Sequence, residues 1–169
     1  MYLMMQNGTY AYAETVEDDS LQVRTWSFAR TVKFVSIVDI IFMGLNLISY
    51  DSYNENTFEG YNVIMIFLVL LPVAGFIGAM RYNKILLGSY IFFNFLEILS
   101  NIYQISNAYK FKNSTSLILI NILATLIDIW IIELVVKLIK HIKMLNNTQM
   151  NNINSNNWQP NQNTVWVFY

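Results

Sequence analysis

The chain has 169 residues, of which 55% are hydrophobic and only 12% charged, and its formal net charge is −1. A soluble domain usually carries about 25% charged residues, so this composition is typical of a membrane protein, and the weak net charge argues against nucleic-acid binding. The absence of cysteine and the single histidine, His141, leave almost nothing for disulfides, thiol chemistry, zinc binding or histidine-based catalysis. No phosphate-binding loop or hydrolase motif is present, so we predict no enzymatic activity, no cofactor and no metal site.

The N-terminal third of the chain passes from polar to apolar sequence. Residues 1–20 are predicted to be a polar, loosely ordered arm, and Ser20 is expected to cap a helix that begins near Leu21. This helix would run along the interface and continue into the first of four long apolar stretches. The stretches cover approximately residues 34–50, 63–80, 85–105 and 116–138.

These four stretches predict the fold class. A bilayer core about 30 Å thick requires about 20 mostly apolar helical residues, with a range of about 17–25, and all four stretches satisfy this requirement. The short connection 81–84 forces the second and third spans into an antiparallel hairpin. We therefore predict an all-α membrane protein in which residues 21–143 form an antiparallel bundle of four transmembrane helices.

The last part of the chain, residues 144–169, is an Asn-rich tail that we predict to be disordered, because it contains few apolar residues. The tail ends in an aromatic segment from Val165 to Tyr169. This segment either dips back into the membrane interface, which we favour, or docks on a cytosolic or capsid partner.

The basic residues predict the orientation in the membrane. With both termini cytosolic, eight basic residues near the span ends lie on the cytosolic side, and only Lys110 and Lys112 lie on the other side. Cytosolic loops are enriched in Lys and Arg, so this topology is favoured. The eight cytosolic residues are Arg24, Arg30, Lys33, Arg81, Lys84, Lys137, Lys140 and Lys143.

Three acidic residues lie inside the predicted spans with no basic residue at a similar depth: Asp39, Glu97 and Asp128. A fourth, Glu133, precedes Lys137 by four residues and is expected to form a structural helical ion pair with it. Other polar residues follow helical spacing around the three acids, so each of three helices is predicted to carry a polar face directed into the bundle. The stripes comprise Ser36, Asp39 and Asn46 in span one, Tyr90, Asn94, Glu97 and Asn101 in span three, and Asn121, Thr125 and Asp128 in span four.

From these stripes we predict an intramembrane polar network, and two interpretations of it are open. Protonated carboxyls, amides and hydroxyls can cross-link helices by hydrogen bonds, each contributing about 0.6 kcal/mol and up to about 1–2 kcal/mol. Alternatively, buried carboxyls can conduct protons or cations. We favour the structural interpretation because no ligand motif accompanies the acids. The predicted network consists of Asp39, Asn46, Asn94, Glu97, Thr125 and Asp128.

The second span contains small residues at a spacing that permits close helix packing. Ala74 and Gly78, and likewise Gly75 and Ala79, are small residues four positions apart. We expect these residues to pack against the third span or against a sister subunit.

Three short stretches, ARTV at 29–32, DIIF at 39–42 and LPVAGFIGAMRY at 71–82, resemble small four-span proteins of nucleocytoplasmic large DNA viruses of protists. The resemblance covers the first three spans and implies a viral or host-derived membrane as the location, but no catalytic or binding residue. The sequence therefore predicts a non-enzymatic, structural or assembly protein of a membrane, associating with itself or with other membrane proteins. The alternative is a small oligomeric proton or cation channel.

Overall fold

The structure is a computed structural model that describes the backbone of residues 3–51, 58–110 and 115–155, and the side chains of residues 20–45, 68–109 and 115–155. Throughout the described residues the regular secondary structure is α-helical. The described residues form five helices, and their bounds are α1 Leu3–Asp51, α2 Phe58–Met80, α3 Lys84–Lys110, α4 Thr115–Met144 and α5 Asn147–Asn154.

Helices α1 to α4 pack around a shared core. Each helix packs against the next one in the chain, and α4 packs back against α1. The ring of Phe28, near the start of the described part of α1, lies 5.1 Å from the ring of His141, near the end of α4, so these two helices run antiparallel. The core between the helices is built from apolar side chains such as Val32, Leu87 and Val135, which are completely buried.

The turn between α2 and α3 is built from three residues. The backbone N–H of Asn83 donates to the carbonyl of Gly78 at 2.8 Å, which closes the end of α2. Tyr82 adopts the left-handed conformation with φ 50°, and burial raises the pKa of its hydroxyl to about 12. The Asn83 side chain caps α3, because its Oδ1 accepts the backbone N–H of Ile85 at 2.9 Å. The predicted antiparallel hairpin is therefore confirmed.

The basic residues whose side chains are described lie together at one end of the packed helices. Because α1 to α4 alternate in direction, the basic residues around Phe28, the α2–α3 turn and the end of α4 all lie at the same end of the packed helices. We call this the basic end. It also contains the predicted ion pair, in which Lys137 Nζ lies 2.7 Å from Glu133 Oε1.

Two predictions about the chain termini are wrong. The helix α1 begins at Leu3, so Ser20 lies within a helix and does not cap one. Residues 147–154 form α5, although we predicted the whole Asn-rich tail to be disordered. The aromatic segment from Val165 to Tyr169 lies outside the described residues.

The helix α5 forms because its first residues satisfy each other's hydrogen bonds. Asn146 Oδ1 accepts the backbone N–H of Gln149, and Gln149 Oε1 accepts the backbone N–H of Asn146, both at 2.8 Å. This reciprocal capping box stabilises a helix start. Ile153 is buried and Met150 packs against the core, so one apolar face docks α5 on the other helices, with contacts to α1.

Two helices are long and apolar enough to cross a membrane, judged by length and composition over the described residues. They are the segments Lys84–Tyr109 and Thr115–Met144, with 26 and 30 residues. The apolar segment Leu68–Met80 is shorter.

Candidate functional site

The centre of the polar interior is a contact between α1 and α3. The hydroxyl of Tyr90, on α3, donates a hydrogen bond to Oδ2 of Asp39, on α1. Tyr90 is completely buried, and its ring stacks on that of Phe93 with a centroid distance of 6.3 Å. The apolar packing around the ring therefore fixes the position of the hydroxyl that holds the Asp39 carboxyl.

Gly75 allows the three helices α1, α2 and α3 to approach each other at this site. A Cβ atom at Gly75 would lie 2.5 Å from Cγ of Tyr90 and 2.9 Å from Oγ of Ser36. Any side chain at this position of α2 would therefore displace the tyrosine ring or the serine. The site depends on the absence of a side chain here.

Two oxygen atoms at the site lack hydrogen-bond partners. The side chains of Ser36 and Asn94 both lie close to the Tyr90 hydroxyl. The Asn94 amide nitrogen donates to the backbone carbonyl of Tyr90 at 2.8 Å. Ser36 Oγ and Asn94 Oδ1, however, have no partner among the described residues, although both residues are completely buried. Buried polar atoms are normally paired, so these two oxygens require an explanation.

The other two acids lie further along the interior. Asp128, on α4, accepts a hydrogen bond from the Asn101 amide of α3 at 3.0 Å. The carboxyl of Glu97 is close enough to those of Asp128 and Asp39 to interact with both electrostatically. The three acids therefore interact with one another inside the packed helices. The ion pair found in the described part of the chain, Lys137–Glu133, lies elsewhere.

Some predicted members of the network bond within their own helix instead. The hydroxyl of Thr125 donates to the carbonyl of Asn121, and the amide of Asn121 donates to the carbonyl of Leu117, both at 2.8 Å. The prediction that Thr125 cross-links helices is not supported by these contacts. Asn46 belongs to α1, but its side chain lies outside the described residues.

The small residues of α2 pack inside the chain. A Cβ atom at Gly78 would lie 2.9 Å from the backbone nitrogen of Leu87, so α2 and α3 are in close contact there. Gly75 and Ala79 are buried and Ala74 is half-buried. Within the chain, Gly78 therefore lies against α3, and Gly75 lies against both α3 and α1.

The predicted network omitted three residues that the structure places in it: Ser36, Tyr90 and Asn101. All three belong to the polar stripes of their helices, so helical spacing was a sufficient signal for including them. Tyr90 was left out because it lies near the start of the predicted span 85–105, where tyrosine is typical of the membrane interface.

Among the described residues, no group of three or more His, Cys, Asp or Glu side chains is arranged to hold a metal ion. Comparison with known proteins adds no assignment: no protein-family model, curated protein or solved structure matches the chain.

Proposed function

We propose that this chain is an integral membrane protein with four spans, formed by α1 to α4, and with a non-enzymatic, structural or assembly role. The observation that carries the proposal is the distribution of polar and apolar side chains. Polar residues such as Asn94, Asn121 and Asp128 are buried, whereas large apolar residues such as Phe34 and Leu119 are 67% and 61% exposed. This is the reverse of a water-soluble protein, in which exposed apolar patches of this extent are rare.

The two longest apolar helices support the same conclusion. In the most apolar 18-residue window of α3 only 22% is buried within the chain, and in that of α4 only 28%. A core helix of a soluble protein would be mostly buried. A helix with an apolar outer face requires an apolar solvent, and lipid provides it.

The lengths of α1 and α2 support two further spans. The helix α2 has 23 residues, which corresponds to about 34 Å at about 1.5 Å per residue, enough for a bilayer core of about 30 Å. In α1 the exposed side chains of Phe34, Ile41 and Phe42 continue the apolar outer surface. The basic end then faces the cytosol, with both termini. A viral or host-derived membrane as the location rests on the sequence resemblance alone.

Cysteine accessibility tests the number of spans, and the chain is well suited to it because it contains no native cysteine. Single substitutions Asn7→Cys, Asn54→Cys, Asn83→Cys, Ser114→Cys and Asn157→Cys are labelled in sealed vesicles with a thiol reagent that does not cross the membrane. Four spans require Asn54→Cys and Ser114→Cys to react on one side and the other three variants on the opposite side. If Asn54→Cys reacts on the same side as Asn83→Cys, α2 does not span, and the proposal is wrong.

The assembly role is tested separately by chemical crosslinking in native membranes and in mild detergent. Because Gly75 and Gly78 are buried inside the chain, self-association must use the outer apolar faces instead. Specific crosslinked oligomers, or co-purified membrane proteins, are the expected result. A strictly monomeric chain without membrane partners would contradict the assembly role and leave the membrane topology standing.

A second candidate function, the handling of protons or cations, is supported by Asp39, Glu97 and Asp128. These three acids interact electrostatically inside the packed helices, and no ion pair to them occurs among the described residues. Intramembrane acids are costly and usually functional. Reconstitution into liposomes that contain a pH-sensitive dye tests this candidate. Proton flux equal to that of empty liposomes would contradict it.

A further inference from the structure

The environment of Asp39 contains no positive charge among the described residues that pack around it. The helix α3 contributes Tyr90 and Glu97, and α4 contributes Asp128. The described part of α2, Leu68–Met80, has no ionisable residue. On α1 itself, Lys33 is six residues away, nearly two helical turns, and no ion pair joins it to Asp39. An ionised Asp39 would therefore be an uncompensated charge, which is strongly disfavoured in a low-dielectric interior.

The two unpaired oxygens near the Tyr90 hydroxyl, which itself bonds Asp39, indicate that a hydrogen-bond donor is missing at this site. Asn94 Oδ1 can only accept hydrogen bonds, and Ser36 Oγ can both accept and donate. The Tyr90 hydroxyl already donates its proton to Asp39, so it can accept from a neighbour but cannot donate to either oxygen. Asn94 Oδ1 therefore lacks a donor.

A proton on Asp39 would correct both the charge and the shortage of donors. It neutralises the carboxylate and turns the carboxyl into a donor for one of the neighbouring oxygens. A metal ion would instead require a shell of several oxygen ligands. Among the described residues, no group of three or more His, Cys, Asp or Glu side chains is arranged to supply such a shell.

We propose that Asp39 is the proton-binding site of this protein, with Tyr90 as the positioning residue that donates to its carboxyl, and with Ser36 Oγ and Asn94 Oδ1 as the free acceptors for the protonated carboxyl. The proton comes from water and adds to the Asp39 carboxylate, and no other bond forms or breaks. The proposal rests on the second candidate function, since it assigns the proton to one of the three acids. Asp128 is assigned a structural role instead: the Asn101 amide donates to its carboxylate, and the buried oxygens left unpaired among the described residues, Ser36 Oγ and Asn94 Oδ1, belong to the Tyr90 site.

Infrared difference spectroscopy of the full chain in lipid tests this assignment, because a protonated carboxyl has a C=O stretching band that a carboxylate lacks. We expect a pH-dependent carboxyl band that disappears in Asp39→Asn and persists in the matched control Asp128→Asn. In Tyr90→Phe and Ser36→Ala the band should persist but change frequency, because each variant removes a hydrogen-bonding group next to the carboxyl. Circular dichroism verifies that every variant keeps its helix content.

Several outcomes would overturn the assignment. A band that survives Asp39→Asn places the proton elsewhere, and a band that is absent at every pH at which the protein is folded shows that Asp39 binds no proton. Loss of the band when sodium replaces choline at constant pH shows that the site takes a metal cation. The liposome flux assay is independent of these results. A chain that binds the proton at Asp39 without conducting it would contradict the second candidate function and leave the binding site intact.

Discussion

The close approach of three helices at Gly75 gives the sharpest prediction about stability. In Gly75→Ala the new methyl group would lie 2.5 Å from Cγ and 2.8 Å from Cδ1 of Tyr90, and 2.9 Å from Ser36 Oγ. Real Cβ atoms essentially never show contacts this short. The nearest atom is the base of an aromatic ring, which cannot turn away as the end of a flexible side chain can, so Tyr90 or the α2 backbone must move.

The expected change in the free energy of unfolding of Gly75→Ala follows from two opposing effects. Overpacking of a well-packed core typically costs about 1–3 kcal/mol. Replacing glycine by alanine within a helix contributes about 0.5–1 kcal/mol in the opposite direction. At Gly88, on the exposed face of α3, a Cβ atom would meet nothing within 4 Å, so Gly88→Ala provides the second effect alone. We expect Gly75→Ala to be less stable than Gly88→Ala by about 1–3 kcal/mol.

Unfolding of both variants in mixed detergent micelles, followed by near-ultraviolet circular dichroism, measures this difference. Gly78→Ala serves as a second test, since its closest contact is the backbone nitrogen of Leu87 at 2.9 Å. Equal stability of Gly75→Ala and Gly88→Ala would refute the close packing of α1, α2 and α3 around Tyr90. It would also remove the geometric basis for the Asp39 site.

Three further predictions concern the helix ends and the turn. Asn146→Ala removes the capping box of α5 and should cost about 1 kcal/mol, seen as faster hydrogen exchange in α5, whereas Asn147→Ala should have little effect. Asn83→Ala removes the cap of α3 and should lower the unfolding free energy by about 0.5–2 kcal/mol in the same micelle assay. The pKa of Tyr82, about 12, lies above its ordinary value of 10.0, so the unfolded chain loses this proton first. Stability should therefore be intact below pH 10.0 and fall as the pH rises towards about 12, less so in Tyr82→Phe.

Much of the fold follows from the sequence, because the lengths of apolar helices and of turns are strongly constrained. The predicted connection 81–84 and the observed turn differ by one residue, since α2 ends at Met80 and α3 begins at Lys84. The ion pair between Glu133 and Lys137 follows from helical spacing alone. The small residues of α2 were recognised by their spacing, but their partner was left open because spacing does not identify the facing helix.

The tail was predicted wrongly because composition and local pattern conflict there. An Asn-rich segment is on average too polar to fold alone, which led to the prediction of disorder. Asn146 and Gln149 nevertheless have the spacing of a capping box, and Met150 and Ile153 lie three residues apart on one helical face. Met150 and Ile153 stabilise α5 only when they pack on the core of the other helices. The sequence alone does not place α5 next to α1.

The polar residues inside the spans divide into two groups for a reason that concerns the helix backbone. Hydroxyl and amide groups can donate to a carbonyl one turn earlier in their own helix, as Thr125, Asn121 and Asn94 do. A carboxylate can only accept, and within a helix the backbone N–H groups are already used. An acid among the packed helices is therefore tied to the fold when a side chain of another helix donates to it.

Asp39 and Asp128 both obtain such a donor, from Tyr90 and Asn101 respectively. In Glu97 no such donor is found among the described residues, although its carboxyl lies near both other acids. Glu97 is therefore expected to be the acid least tied to the fold. Glu97→Ala should unfold at nearly the same detergent fraction as the unmodified chain, whereas Asp39→Ala and Asp128→Ala should each lower it, because each removes the acceptor of a hydrogen bond between helices. A larger loss of stability in Glu97→Ala than in Asp128→Ala would contradict this difference between the three acids.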